Sequence, residues 1–429
     1  MNRRRFLNTS LPATMAGAAL AVDSAPAAAS QQSRRPSVLL ISGWNLHNIG
    51  DVAITPGFLR LAQQHFPEAR VTVLLASYFE EVGAYLKQRF PDIHLVKWNF
   101  TAGEALSPEM EEAFRGADLL VLNSGMTLSY GYYGLEWERY LPRLLAFLKA
   151  HQMGIPFGVY AHSFDKLEPH GEYLYRDVLG KAAFVYTRDG ESLKLLKSKG
   201  VACPEMAYAP DATFGFDLRD QAKAAEILRA HSLEPGRFVS LIPRLDVDRF
   251  RQDGKEKDHA EQTRDVIVRY VRATKEPVFI VPEVSRLLAL HREAVYDPLP
   301  DDVKSLVRYK ADFWMPDEAQ TVYAQSRMVV SWEMHSVILG LAAGTPSLHP
   351  FFRQAGLKQW MMRDLGVEQW LFDIDEKPPA AVAEAMIGVH RDTPAAKASA
   401  ANAMAFARQR QRETMSVVKR AAMEHFNRR

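Results

Sequence analysis

The chain has a single cysteine, Cys203, among 429 residues. That excludes an intrachain disulfide and any cysteine-based zinc site. Charge of one sign is also missing: 53 Lys and Arg stand against 51 Asp and Glu, a formal net charge of +2. A chain so balanced has no broad basic field with which to hold nucleic acid, so no nucleic-acid partner is expected. After the N-terminus no apolar run reaches the ~18 residues that suggest a bilayer span, and no later segment is expected to cross a membrane. No short-period repeat and no low-complexity tract follows residue 29.

What remains is an ordinary globular composition, 47% hydrophobic and 24% charged, with enough chain for two or three domains. The first residues stand apart. Arg3-Arg4-Arg5-Phe6-Leu7 leads into a weakly apolar stretch, 11–22. Small residues at Ala25-Pro26-Ala27 or Ala27-Ala28-Ala29 then have the form of a cleavage site. The segment resembles a twin-arginine export signal, which is a receptor-read address and not an anchor; the competing reading is a basic tail. As a signal, residues 1–29 imply a chain that folds in the cytosol and is delivered to the periplasm or secreted. The scarcity of cysteine fits folding before export. Arg3, Arg4, Arg5 and Asp23 also carry the whole net charge, so the rest of the chain is neutral.

From residue 36 onward, apolar runs alternate with helical patterns. Strands are predicted at 37–43, 70–76, 94–98, 117–124, 155–162, 184–187 and 206–209. A second series follows at 238–243, 278–282, 307–309, 328–331 and 347–349. Helices are predicted between most of them, the first at 56–66. Such alternation implies parallel sheets covered on both faces. The series divide near 216–237, where Leu233-Glu234-Pro235-Gly236 reads as a turn. The expected organisation is an N-terminal Rossmann-like domain at 36–216, a C-terminal one at 237–377, a cleft between them, and helices at 378–429 that pack against the end of the fold.

In open α/β sheets ligands bind beyond the carboxyl ends of strands, so the strand ends are where chemistry is sought. The first runs into Gly43-Trp44-Asn45-Leu46-His47-Asn48-Ile49-Gly50-Asp51. A helix N-terminus there would offer free N–H groups and the positive dipole end to an anion; the alternative is a plain turn capped by Asp51. Asn123-Ser124-Gly125 ends another strand, and Tyr130, Tyr132 and Tyr133 follow it, groups suited to a sugar or simply to an ordered loop. His162 ends a third, as a ligand contact or a structural histidine. Arg188 and Asp189 precede a helix that Asp189 can cap while Arg188 pairs locally; Asp211 is read in the same way. Arg244 ends the first strand of the second series, and its planar fork suits a carboxylate or phosphate. Glu283 ends the next. In Ser331-Trp332-Glu333-Met334-His335 a strand hands over to a helix. Imidazole titrates near pH ~6.5, which suits His335 to proton transfer; Glu333 is either functional or an acidic residue in a helix's first turn.

Taken together these loops resemble the polysaccharide pyruvyl transferase family. The resemblance rests on Asn48-Ile49-Gly50-Asp51, Ser124-Gly125, Arg188-Asp189, Asp211, Arg244, the segment from Ser331 to His335, and Lys358 ahead of Asp364-Leu365-Gly366. It spans roughly residues 37–375. It implies a glycosyltransferase-B-like fold of two facing Rossmann-like domains, and transfer of a pyruvyl group from phosphoenolpyruvate to sugar hydroxyls as a ketal. Arg244 would hold the anionic donor and His335 would move a proton. Asn48, Gly50, Asp51, Ser124 and Gly125 would line the acceptor side. The strand-end residues His162, Arg188 and Glu283, and Lys358 with them, are further candidate substrate contacts. The partners implied are a saccharide acceptor and a small anionic donor. The chemistry calls for no metal and no organic cofactor.

One position departs from the family's pattern. Its Arg-x-His is here Glu333-Met334-His335, a reversal of two charge units. Beside a trianionic donor the Coulomb cost reaches roughly 4 kcal/mol per unit charge at ~4 Å and an effective dielectric of ~20. Either Glu333 points elsewhere or the donor is not phosphoenolpyruvate, a metabolite of the cytosol that an exported enzyme would not normally meet. The alternatives are another sugar-group transferase or a hydrolase on the same scaffold, or a non-catalytic saccharide-binding protein.

Overall fold

The structure, a computed structural model, describes residues 34–43, 45–100, 105–132, 134–245 and 256–429. The arginine-led segment 1–29, Trp44 and Tyr133 lie outside them. Two sheets carry the fold, and every strand pairing in them is parallel. The first holds β1 (Ser37–Ser42), β2 (Arg70–Leu75), β3 (His94–Lys97), β4 (Leu119–Asn123), β5 (Phe157–His162), β6 (Phe184–Thr187) and β7 (Met206–Tyr208), in the order β3-β2-β1-β4-β5-β6-β7. The second holds β8 (Val239–Ile242), β9 (Val278–Ile280), β10 (Val307–Tyr309), β11 (Met328–Ser331), β12 (Ser347–Phe351) and β13 (Leu371–Asp373), in the order β10-β9-β8-β11-β12-β13. All six residues of β1 and all five of β4 are buried. A strand covered on both faces needs a continuous apolar run, and such runs made these strands readable.

In both sheets the strand order reverses beside the first strand, between β1 and β4 and between β8 and β11. Register brings the ends level: Ser42 lies beside Asn123, and Ile242 beside Ser331. Four loops therefore emerge at two topological switch points, the usual ligand crevice of such sheets.

The structure corrects three expectations. The first helix runs Ile49–His65, so Pro56 lies in its interior and not in its first turn. Its start is fixed by Asn48, whose Oδ1 accepts from Gly50 N at 2.8 Å and Asp51 N at 3.4 Å; Asn48 is the cap, and Asp51 is not. The short edge strand β13 was not expected, because three residues give too little pattern. The C-terminal helices, Pro379–Arg391 and Thr393–Arg428, do more than pack at one end. The second, about 54 Å long at ~1.5 Å per residue, buries Ala396, Ala400, Ala403 and Met404 against the second sheet's core and Met415, Val418 and Ala422 against the first's. Near its end, His425 Nδ1 meets the buried Asp118 Oδ1 at 3.2 Å.

The two halves also touch directly. Asn48 and Val284 form an antiparallel bridge, flanked by Ile49 N donating to Glu283 O at 3.0 Å and Ser285 N to His47 O at 2.9 Å. Among the described residues, no helix is long and apolar enough to cross a membrane.

Candidate active site

The four switch-point loops, joined by the segment around Lys358, enclose a cavity of about 470 Å³. Its first-sheet wall includes Asn48, Asp51, residues 123–127, Arg143 and Arg188; its second-sheet wall includes Arg244, Glu283, Arg286, Glu333, His335 and Lys358. Backbone geometry shapes the first wall. Ser124 and Gly125 take consecutive positive φ values, 43° and 76°, which turn the chain sharply beyond β4 and suit glycine at the second position. Ser124 Oγ accepts from Ala212 N at 3.2 Å. Asn123 Nδ2 donates to Ile54 O at 3.2 Å. Burial pushes the Asp51 carboxyl above its ordinary range, although His335 and Lys358 pull it back.

His335 opens the helix Met334–Ala342. Its Nδ1 lies 3.5 Å from Glu283 Oε1. The other Glu283 oxygen accepts from Ser336 N at 2.7 Å and Ser336 Oγ at 2.6 Å, and Tyr323 OH donates to Ser336 Oγ at 3.1 Å. Burial alone would raise the Glu283 carboxyl, but the hydrogen bonds from His335 and Ser336 and the histidine's charge hold it below its ordinary value. A carboxylate on one imidazole nitrogen orients the ring and supports charge on it. His335 Nε2 is buried and has no hydrogen-bond partner among the described residues. The ring itself rests on Gly50, where an added Cβ would stand 2.0 and 2.1 Å from the ring atoms Nδ1 and Cγ. Gly50 is therefore a seat for His335 and does not line the cavity as a substrate contact.

Glu333 sits at the N-cap position of that helix without making a side-chain cap bond. Its carboxylate turns to Arg244, with Nη1 3.1 Å from Oε2 and both side chains under a tenth exposed. The Arg244 guanidinium also lies 5.4 Å from the Phe352 ring centroid. Lys358 shares the wall. Burial, reinforced by the positive charge of Arg244 and Arg188, pushes its ammonium down to about 8.

Other residues named from the sequence have structural duties. Arg188 is buried, with Nη1 2.7 Å from Asp211 Oδ2 and Nε donating to Ser163 Oγ at 2.8 Å; it reaches the cavity wall from inside this network. Asp189 caps the helix Gly190–Ser198 through Ser192 N at 2.7 Å. His162 stays behind the wall. Its Nε2 accepts from Leu128 N at 3.1 Å, and burial pushes the imidazole far below its ordinary range, so it is a neutral brace for the loop and not a ligand contact. Tyr130 is buried and stacks on Trp137 at 4.2 Å, while Tyr132 faces a separate cavity. Arg143, Arg286 and Trp98 also line the main cavity and were not singled out in the sequence. Arg143 lies inside the helix Leu141–Gln152, where a lone arginine reads as solvated surface; Trp98, just past β3, carried the better signal. Among the described residues, no group of three or more His, Cys, Asp or Glu is placed to hold a metal ion.

A family model described as polysaccharide pyruvyl transferase matches residues 48–349, well over half of the chain. No curated protein is detectably similar to the chain in sequence. Among solved structures, Anabaena HepE in complex with UDP and glucose is 13% identical with a TM-score of 0.55, over 89% of this chain and 98% of that one. A UGT transferase from Siraitia grosvenorii in complex with UDP is 11% identical with a TM-score of 0.54, over 91% and 99%. The Neisseria meningitidis UDP-GlcNAc 2-epimerase bound to UDP-GlcNAc is 11% identical with a TM-score of 0.52, over 89% and 99%. At such identities the likeness is one of fold: two facing Rossmann-like sheets in the glycosyltransferase-B manner.

Proposed function

The chain belongs to the polysaccharide pyruvyl transferase family, and from that premise we propose that it transfers a pyruvyl group to a sugar of a cell-surface or exported polysaccharide. The observation that carries this reading is His335, held by Glu283 through Nδ1 with Nε2 unpartnered at the cavity. In the proposed reaction a sugar hydroxyl gives its proton to Nε2 as its oxygen bonds to C2 of an enolpyruvyl donor. The double-bond electrons take that proton from Nε2 at C3, which becomes the methyl group and leaves the imidazole neutral again. A second hydroxyl then bonds to C2, the C2–O bond to phosphate breaks, and the remaining proton leaves with phosphate. The products are a pyruvate ketal and inorganic phosphate. In this reading Lys358, which lines the same cavity, meets the donor's negative charge. UDP-sugars bound by proteins of the same fold support a saccharide in the cleft. The arginine-led N-terminus supports a periplasmic or secreted site of action. The direct test is phosphate release and ketal formation from phosphoenolpyruvate with surface oligosaccharides, against His335→Ala; equal rates from the two proteins would remove His335 from the chemistry.

The Arg244–Glu333 pair favours a second reading, in which the same proton-transfer apparatus serves a less charged donor or a hydrolysis. Glu333→Arg separates the two. Turnover with phosphoenolpyruvate gained only by that variant would assign the native chain to a different donor.

A further inference from the structure

A second cavity, of about 480 Å³, lies within the ~300–1,000 Å³ range of small-ligand sites and is not used by the proposed chemistry. It is built by the same two segments that wall the first. The loop after β4 gives residues 123–127 to the first cavity and Tyr132 to the second. The turn before Met361 gives Lys358 to the first, and Gln354, Leu357 and Trp360 to the second. Asp165 and Lys166 complete the first-sheet side.

The lining is organised. Leu357 N donates to Asp165 Oδ1, and Gly356, at φ 98°, has Asp165 Oδ2 only 2.8 Å from where a Cβ would stand; only glycine lets this turn wrap the carboxylate so closely. Trp360 is half-buried and fixed edge-on to Phe351 at 5.5 Å. Gln354 Oε1 is buried and has no hydrogen-bond partner among the described residues. A buried carbonyl in that state calls for a donor from outside the chain. Aromatic rings beside an amide and a carboxylate match the apolar faces and hydroxyl edges of sugars, each polar group taking or giving one hydroxyl bond.

We infer that this second cavity is a saccharide subsite, holding sugar units next to the one modified at His335. The inference rests on the proposed saccharide acceptor; it adds that the protein reads an oligosaccharide and not a single sugar. The shared loops supply the reason: a chain whose reacting unit lies against Asp51 and His335 has its neighbours beside Tyr132 and Trp360.

The test is an array of immobilised mono- to hexasaccharides from bacterial surface polysaccharides, probed with the full chain and with Trp360→Ala, Gln354→Ala and His335→Ala. Binding should rise about tenfold or more from single sugars to the longer members, a gain of one or more steps on the affinity scale. Trp360→Ala and Gln354→Ala should each abolish that gain and leave single-sugar binding unchanged; His335→Ala should keep it. Gln354→Ala, at a half-buried turn position, carries the test alone where Trp360→Ala proves unstable by thermal melting. No dependence on length in the native chain, or a gain that survives Gln354→Ala, overturns the inference. A gain that holds while ketal formation is absent instead overturns the transferase reading alone.

Discussion

Arg244 and Glu333 face each other at 3.1 Å inside the cleft, so the guanidinium best placed for an anionic donor already has a carboxylate against it. Replacing Glu333 with Gln removes one negative charge and keeps the shape. At contact distance and an effective dielectric of ~20, such a charge is worth up to about 4 kcal/mol, moderated by relaxation and water. Phosphoenolpyruvate and inorganic phosphate should therefore bind Glu333→Gln about 10- to 100-fold more tightly by calorimetry. Without anion the variant should melt earlier, because the buried Arg244 loses this carboxylate, and added phosphate should restore the melting temperature. Unchanged affinity would show that Arg244 does not meet the donor.

Glu283 orients His335, its Oε1 lying 3.5 Å from Nδ1. Glu283→Gln should lower kcat with little change in KM, and His335→Ala should cost about 10²- to 10⁴-fold, the usual span for proton transfer by a side chain. The pH profile of kcat/KM should shift in Glu283→Gln. A purely structural glutamate would leave that profile in place.

Lys358 sets a pH limit. Its ammonium is pushed down to about 8, so the cation is lost as pH rises through that value, and anion affinity should decline above it with proton uptake on binding. Stability moves the opposite way. Between about 8 and the ordinary lysine value of 10.5 the unfolded chain holds more protons at this position, so this residue's contribution favours folding more as pH rises. Lys358→Arg should remove the alkaline fall in anion binding, which titration calorimetry across pH would read.

Gly50 bears the His335 ring. Gly50→Ala places a methyl group 2.0 to 2.4 Å from the His335 Nδ1, Cγ and Cβ atoms, so the imidazole must move. Displacements near 1 Å at a reacting group cost about 10²-fold in rate. Turnover should fall by that order while the Asn48 cap keeps the helix folded, as far-ultraviolet circular dichroism and single-turnover rates together would establish.

The architecture was legible because the central parallel strands, buried on both faces, announce themselves as apolar runs; twelve of the strands coincide with predicted ones, and only β13, three residues long, escaped. Helix starts were less legible. Pro56 drew the expected start too far along, whereas the Asn48 cap marks it. At the site, the strand-end rule led to Arg244, Glu283, Glu333 and His335, all of which line one cavity. Their pairing could not be read, since Arg244 with Glu333 and Glu283 with His335 join separate strand ends across the sheet. The same limit explains Arg143, brought in by a helix from elsewhere, and His162, whose place behind the loop is decided by Leu128 N.

The bridge between Asn48 and Val284 acts as the spine of a book. Any parting of the two sheets has to strain its flanking hydrogen bonds together with the long C-terminal helix buried against both cores. Glu283 contributes its carbonyl to that spine and its carboxylate to His335. Proton-transfer group, orienting acid and Gly50 seat are thus tied to a place where the backbone of each half is bonded to the other's.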